Sequence, residues 1–354
     1  MKTPNPPVYV WLLWSLLGLF FAGCQPGTQV VSTDEIPGIS IPANFPAPVY
    51  SAEMNPPSRA GFELGRTLFY DPQLSRTGDI SCSSCHQQTT AFANTGHRLS
   101  KGINDKLGVR NAPALQNLRW KKNFFWDGGP KHIETVPLAP ITHPLEMGET
   151  IENVLRKLNA DSSYQRQFAQ VFGGTGPIDS YQFLRAMAQF TAALTSNNSR
   201  YDQYSRHEPG ATLRTSELRG LAVVRQKCGN CHAGELFTDE SFRNNGLDRT
   251  FPSDSGRAHI TRSRQDAGRF KVPSLRNVAL TAPYMHDGRF ATLPDVLDHY
   301  SRGMVESASL DPQFRRHGLG PGVALSTQER QDLLAFLETL TDTTFLHDPR
   351  LAKH

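Results

Sequence analysis

The chain has 354 residues, of which 38% are hydrophobic and 20% charged, with a formal charge of +4. That length exceeds a typical single domain, so two domains are expected. Charges of both signs are mixed along the chain, with no basic run and no interleaved aromatics, which excludes nucleic acid as a partner.

The N-terminus reads as an export signal: Lys2, an apolar run from Val8 to Phe21, then Ala22 and Gly23 before Cys24. The run is shorter than the ~20 residues of a comfortable transmembrane helix. Residues 1–24 are therefore predicted to be a lipoprotein signal, with Cys24 acylated and anchoring the mature protein to the membrane on the periplasmic side of the cell envelope. Residues 25–57 carry Pro26, Pro37, Pro42, Pro46, Pro48, Pro56 and Pro57. That composition predicts an extended tether, with order beginning near Ser58.

From residue 58 onward helical periodicity dominates, and the chain reads as mostly α. From Ser58 to Tyr70 the apolar residues are Phe62, Leu64, Leu68 and Phe69. Thr150 is placed to cap a helix with Ile151, Val154, Leu155 and Leu158 on one face. Leu184, Met187, Phe190 and Leu194 form another stripe, which Asn197-Asn198 ends. Ser326 and Glu329 form a capping box ahead of Leu333, Leu334, Leu337 and Leu340. The organisation repeats once: a helix from Ser58 feeds Cys82-Ser-Ser-Cys85-His86, and a helix from Ser216 feeds Cys228-Gly-Asn-Cys231-His232. The polar segment from Ser196 to Arg214 holds the boundary, giving domains at 58–205 and 206–346.

Two thiols spaced Cys-x-x-Cys reach the two vinyl groups of one porphyrin, and the next imidazole is positioned to ligate iron from one face. A disulfide, a redox dithiol and half a zinc site are the competing readings. A dithiol of the thioredoxin type wants a βαβ setting, and zinc gives no reason for both histidines. Two complete motifs in an exported chain predict two covalently bound haem c groups, with His86 and His232 as proximal ligands. The ligand on the other iron face decides between electron transfer and peroxide activation. His97, His132, Met285, His286, His299, Tyr300 and Met304 are candidates that spacing alone does not rank.

Five further segments narrow the family: Leu64-Gly-Arg-Thr-Leu-Phe-Tyr-Asp71, Arg110-Asn-Ala-Pro113, Phe125-Trp-Asp-Gly128, Pro140-Ile-Thr-His-Pro-Leu-Glu-Met147, and Val272 to Gly288 with Pro283-Tyr-Met-His286. In that order they resemble the bacterial dihaem cytochrome c peroxidase superfamily, which includes the MauG-type enzymes. The resemblance implies two cytochrome c-like haem domains packed around an interdomain calcium site, with the peroxidatic haem on His86. It implies Glu146 as the distal acid that moves protons during O–O cleavage, Pro140 as the residue shaping that pocket, and Trp126 as the aromatic between the haems. Many members carry glutamine four residues before the pocket proline; this chain has Val136. Asn111, Thr281 and Pro283 match the oxygen ligands of the calcium ion. His97 lies in the loop that gives some members a removable sixth ligand. Peroxidase members place an axial methionine fourteen residues after the histidine matching His286, whereas MauG-type enzymes place tyrosine there, and this chain has Tyr300. Tyrosinate favours oxidised iron and thioether favours reduced iron.

The implied substrate is hydrogen peroxide, with a small cytochrome c or cupredoxin as electron donor; a homodimer is admitted. The leading expectation is a cytochrome-c peroxidase-like oxidoreductase that reduces peroxide to water. The alternatives are a MauG-like enzyme, using peroxide-derived high-valent iron to oxidise a partner protein or small molecule, and a non-catalytic dihaem electron-transfer protein. Glu146 and Pro140 oppose the last.

Overall fold

The computed structural model describes residues 1–2, 36–316 and 318–353. Cys24 and the rest of the leader lie outside the described residues. In chain order the helices are α1 (Arg59–Tyr70), α2 (Cys82–Cys85), α3 (Leu138–Thr142), α4 (Ile151–Ala160), α5 (Ser162–Phe172), α6 (Ser180–Ala193), α7 (Arg200–Ser205), α8 (Thr215–Val223), α9 (Ala258–Thr261), α10 (Leu293–Asp298), α11 (Thr327–Glu338) and α12 (Thr343–His347). Two short strands, β1 (Phe242–Arg243) and β2 (Phe270–Lys271), pair antiparallel with Phe242 opposite Lys271.

Each half is built on one crossed helix pair, and glycine permits the crossing. Ser58 caps α1 by accepting from the Gly61 amide at 3.0 Å. A Cβ on Gly65 would lie 2.2 Å from the Ala186 carbonyl oxygen of α6, so only glycine allows those backbones to approach. In the other half α8 crosses α11 in the same manner, where a Cβ on Gly220 would lie 2.0 Å from the Asp332 carbonyl oxygen. Phe190 and Phe336 pack beside the two glycines, and both are fully buried. The two crossings generate two apolar cores. The first gathers Phe62, Leu68, Phe69, Phe92, Leu158 and Phe190 with Cys82 at its edge; the second gathers Tyr201, Leu221, Phe237, Leu333 and Phe336 with Cys228 at its edge.

Phe345, Leu346 and Leu351 belong to the first core, so the C-terminus returns across the molecule, and Tyr201 belongs to the second. The described residues from 36 onward belong to one compact unit.

The expectation of a free tether up to residue 57 is corrected for residues 36–57, which are packed. Ile36 is buried in the first core, Phe45 stacks edge-on against Trp120 at 5.1 Å, and buried Asn55 bonds the Arg185 carbonyl. Prolines remove amide donors but leave every carbonyl available. The carbonyls of Gly38, Ile39, Pro46 and Met54 accept from the side chains of Thr195, Arg119, Trp120 and Arg185 at 2.6–2.8 Å. Average composition hides this, because a strap needs only a few anchors and the donors come from elsewhere.

Candidate functional site

Both Cys-x-x-Cys-His motifs are held by the same local device. His86 Nδ1 donates to the Phe92 carbonyl at 2.8 Å, and His232 Nδ1 to the Phe237 carbonyl at 3.1 Å. Phe92 and Phe237 both adopt positive φ, 55° and 51°, which turns those carbonyls back toward the imidazoles. With Nδ1–H committed to a carbonyl, Nε2 keeps its lone pair for a metal. Burial lowers His86 to about 4 and lowers His232 as well, so both rings are neutral and ligand-ready at neutral pH.

The motif cysteines are buried or half-buried. All four are free, not disulfide-bonded. Burial pushes Cys82 up to about 12 and Cys228 to about 11. Neutral half-buried thiols suit addition to a porphyrin vinyl group. The donor set therefore fits haem c at each motif.

On the N-terminal side, the loop after the first motif joins that motif to Glu146. The Lys101 carbonyl lies 3.6 Å from Cys85 Sγ, and two residues on, the Ile103 amide donates to the Glu146 carbonyl at 2.8 Å. A Cβ on Gly102 would meet the Glu146 Cα at 2.5 Å, so glycine is what lets the loop lie against this residue. The Glu146 carboxylate helps raise the Cys85 thiol, which puts its charge within reach of the first motif, and burial raises the Glu146 carboxyl itself. Pro140, in α3, accepts from the Met147 amide at 3.1 Å and closes the turn that carries Glu146. Val136 packs with Leu118, Phe124 and Ile133.

Trp126 and Asn111 join the halves. Trp126 Nε1 donates to the Asn111 carbonyl at 2.8 Å, and the Trp126 carbonyl accepts from the Lys271 amide at 2.8 Å. The Asn111 amide donates to the His286 carbonyl at 2.7 Å, which brings Asn111 to the segment carrying Thr281 and Pro283. The Asn111 side-chain amide donates to the carbonyls of His97 and Arg98. The ring of His97 is exposed in its loop.

Of the candidates for the second haem, Tyr300 lies within electrostatic reach of its motif. Burial, with Cys231 and Cys228 adding to it, pushes the phenol up to about 12, so the hydroxyl lies within electrostatic reach of both thiols. The Asn245 side-chain amide spans Tyr300 Oη at 3.4 Å and Met285 Sδ at 3.5 Å. Tyr300 sits in a π-helical turn, His299–Gly303, that continues α10, a distortion that re-aims side chains near functional sites. His299 Nε2 is taken by the Asn245 carbonyl at 2.9 Å, and His286 lies stacked on Phe270 with centroids 3.6 Å apart. His132 packs edge-on against Tyr50. Buried Met304 shares a small apolar cluster with Tyr300.

Sequence reasoning missed a second repeat. Pro113-Ala-Leu-Gln-Asn117 through Trp126-Asp-Gly128 matches Pro273-Ser-Leu-Arg-Asn277 through His286-Asp-Gly288 at constant spacing. The backbone repeats too: Asn117 and Asn277, Phe125 and Met285, and Gly128 and Gly288 all have positive φ. Asn117 donates its amide to the Leu194 carbonyl at the end of α6, and Asn277 does the same to Leu340 after α11. Aligning the chain against itself finds this signal; searching for metal-binding motifs does not.

Two similar halves, each presenting a haem-attachment motif with a neutral histidine, define a dihaem c-type oxidoreductase. A family model described as di-haem cytochrome c peroxidase matches residues 59–210. The methylamine utilization protein MauG of Methylorubrum extorquens is 32% identical over 95% of this chain and 95% of its own length. A cytochrome c551 peroxidase of Nitrosomonas europaea is 31% identical over 79% of each. The crystal structure of a MauG-like protein associated with microbial copper homeostasis superposes with a TM-score of 0.80 at 34% identity, covering 88% of this chain and 98% of that one. The chain belongs to the dihaem cytochrome c peroxidase and MauG superfamily and is a peroxidase-like oxidoreductase. Members of that family carry two haem c groups and use hydrogen peroxide with an electron donor.

Proposed function

We propose that this chain is a MauG-like enzyme that takes oxidising equivalents from hydrogen peroxide and passes them to a partner protein or small molecule. The observation that carries the reading is Tyr300, set in the π-helical turn with its hydroxyl 3.4 Å from the Asn245 side-chain amide and within electrostatic reach of Cys228 and Cys231. The haem groups supply the redox chemistry: peroxide accepts two electrons and, with two protons, becomes two waters. The residues of the chain supply the rest. His86 and His232 present Nε2 to the two irons. Glu146, its carboxyl raised by burial, carries a proton between the peroxide oxygens at the first site, and Pro140 fixes the turn that holds it. Tyr300 offers a hard oxygen donor at the second site, which suits ferric rather than ferrous iron. Trp126, bonded to both halves, lies on the route between them.

On the same reading residues 58–205 and 206–346 act as two haem domains. Asn111, Thr281 and Pro283 hold calcium at their junction, which metal analysis of the purified protein tests. Cys24 anchors the enzyme to the periplasmic face of the membrane.

Mixing the fully oxidised protein with peroxide tests the main claim. Direct reaction, giving a long-lived change in the haem spectrum, is expected, and Tyr300→His removes it while keeping both haems. A wild type that stays inert until one haem is reduced overturns the reading. That result favours the conventional peroxidase, drawing electrons from a small cytochrome c or cupredoxin, which buried Met304 beside Tyr300 supports as the alternative second ligand.

A further inference from the structure

The second repeat places unlike residues at one matched position: Gln116 in the first half corresponds to Arg276 in the second. Arg276 is fully buried and pairs through two nitrogens with the equally buried Asp202, at 2.8 and 2.7 Å. A buried ion pair is stable only while the groups around it complete its hydrogen bonds and keep water out. Part of that surrounding comes from the proline-rich strap. The Arg276 guanidinium carbon lies 4.5 Å from the centroid of the buried Phe45 ring, and Asn44 Nδ2 donates to Asp202 Oδ1 at 3.1 Å.

The same network reaches the loop that presents His232. Arg276 Nε donates to the Glu235 carbonyl at 2.9 Å, Ser274 Oγ to the Leu236 carbonyl at 2.6 Å, and His232 Nδ1 to the Phe237 carbonyl at 3.1 Å. Consecutive carbonyls are thus tied in turn, the last of them by the imidazole itself. The Glu235 side chain is pinned as well. Tyr201 Oη donates to Oε1 at 3.2 Å, while Ser205 Oγ and Asn44 Nδ2 donate to Oε2 at 3.0 and 3.3 Å. The Asn44 amide therefore spans two carboxylates, the one that fixes Arg276 and the one carried by the His232 loop.

We propose that Asn44 and Phe45 are positioning residues for the second haem: through Asp202, Arg276 and Glu235 they hold the Phe237 carbonyl against His232. The proposal rests on the dihaem reading and adds to it a part played by the N-terminal strap. A carbonyl held on Nδ1–H makes the imidazole a stronger donor to iron and so favours the ferric state. Loosening the network raises that haem's reduction potential.

The test uses the mature holoenzyme. N44A should keep two haems by pyridine haemochromogen count, shift the g-values of one ferric haem in EPR spectra, and move that haem's reduction equilibrium toward ferrous by about tenfold (59 mV for one electron). F45A, which uncovers the Arg276 guanidinium, should shift the potential in the same direction. I41S, a change at an exposed position of the same strap, should leave both readouts at wild type. Two haems with unmoved g-values and potentials in N44A overturn the inference and leave the dihaem reading standing, as does a shift in I41S equal to that in N44A. A wild type without two haems overturns that reading instead. If N44A does not mature, S205A, which removes another donor to Glu235, decides, and an unchanged or lowered potential there overturns the proposal.

Discussion

The two halves share a scaffold and differ in what faces it. Both cross a pair of helices at a glycine, both turn a phenylalanine carbonyl onto the histidine of the attachment motif, and both cap the closing helix with an asparagine at positive φ. The N-terminal half then adds α3 to α5 and brings Glu146 to Cys85, whereas the C-terminal half adds a π-helical turn and brings Tyr300 to Cys228 and Cys231. The repeat therefore accounts for how each histidine is presented, and the segments outside it account for what else reaches each motif. One motif has a carboxyl within electrostatic reach and the other a phenol.

The largest expected break in the comparison is removal of one attachment site. Cys228→Ala with Cys231→Ala should leave one haem per chain and abolish turnover with an external donor, checked by haem count and steady-state assay. Two firmly bound haems in that variant would contradict the role given to the second motif. Next, Glu146→Gln should keep both haems and slow the reaction with peroxide by about 10²-fold or more, the scale of general acid/base loss. A stopped-flow rate near wild type would return Glu146 to a loop charge and make the halves more alike than proposed. The smallest effect sharpens the shared scaffold. Gly65→Ala and Gly220→Ala each push a methyl onto a backbone carbonyl that does not yield, and each should cost about 1–3 kcal/mol in denaturant unfolding. A large cost in one half alone would show that the crossings are not equivalent.

Much of the local architecture was legible in the sequence. Ser58, Thr150 and Ser326 cap the helices expected of them, and Glu329 closes the expected box. The segment 36–57 was misjudged because its proline content describes the chain's own donors and is silent about Thr195, Arg119, Trp120 and Arg185, which bond its carbonyls. The strap is a property of two distant stretches, and a reading of either alone misses it.

The sequence by itself determined the attachment chemistry, the family, the helical class and the pairing of the two motifs. Each of these depends on residues a few positions apart, where backbone geometry fixes what can meet. Only the tertiary structure showed that the Asn245 side-chain amide meets both Tyr300 and Met285, that His299 spends its Nε2 on the Asn245 carbonyl, and that buried Lys271 pairs with Glu240. Those outcomes rest on burial and on charges brought together from distant parts of the chain, and burial is set by how the layers pack rather than by any spacing along the sequence.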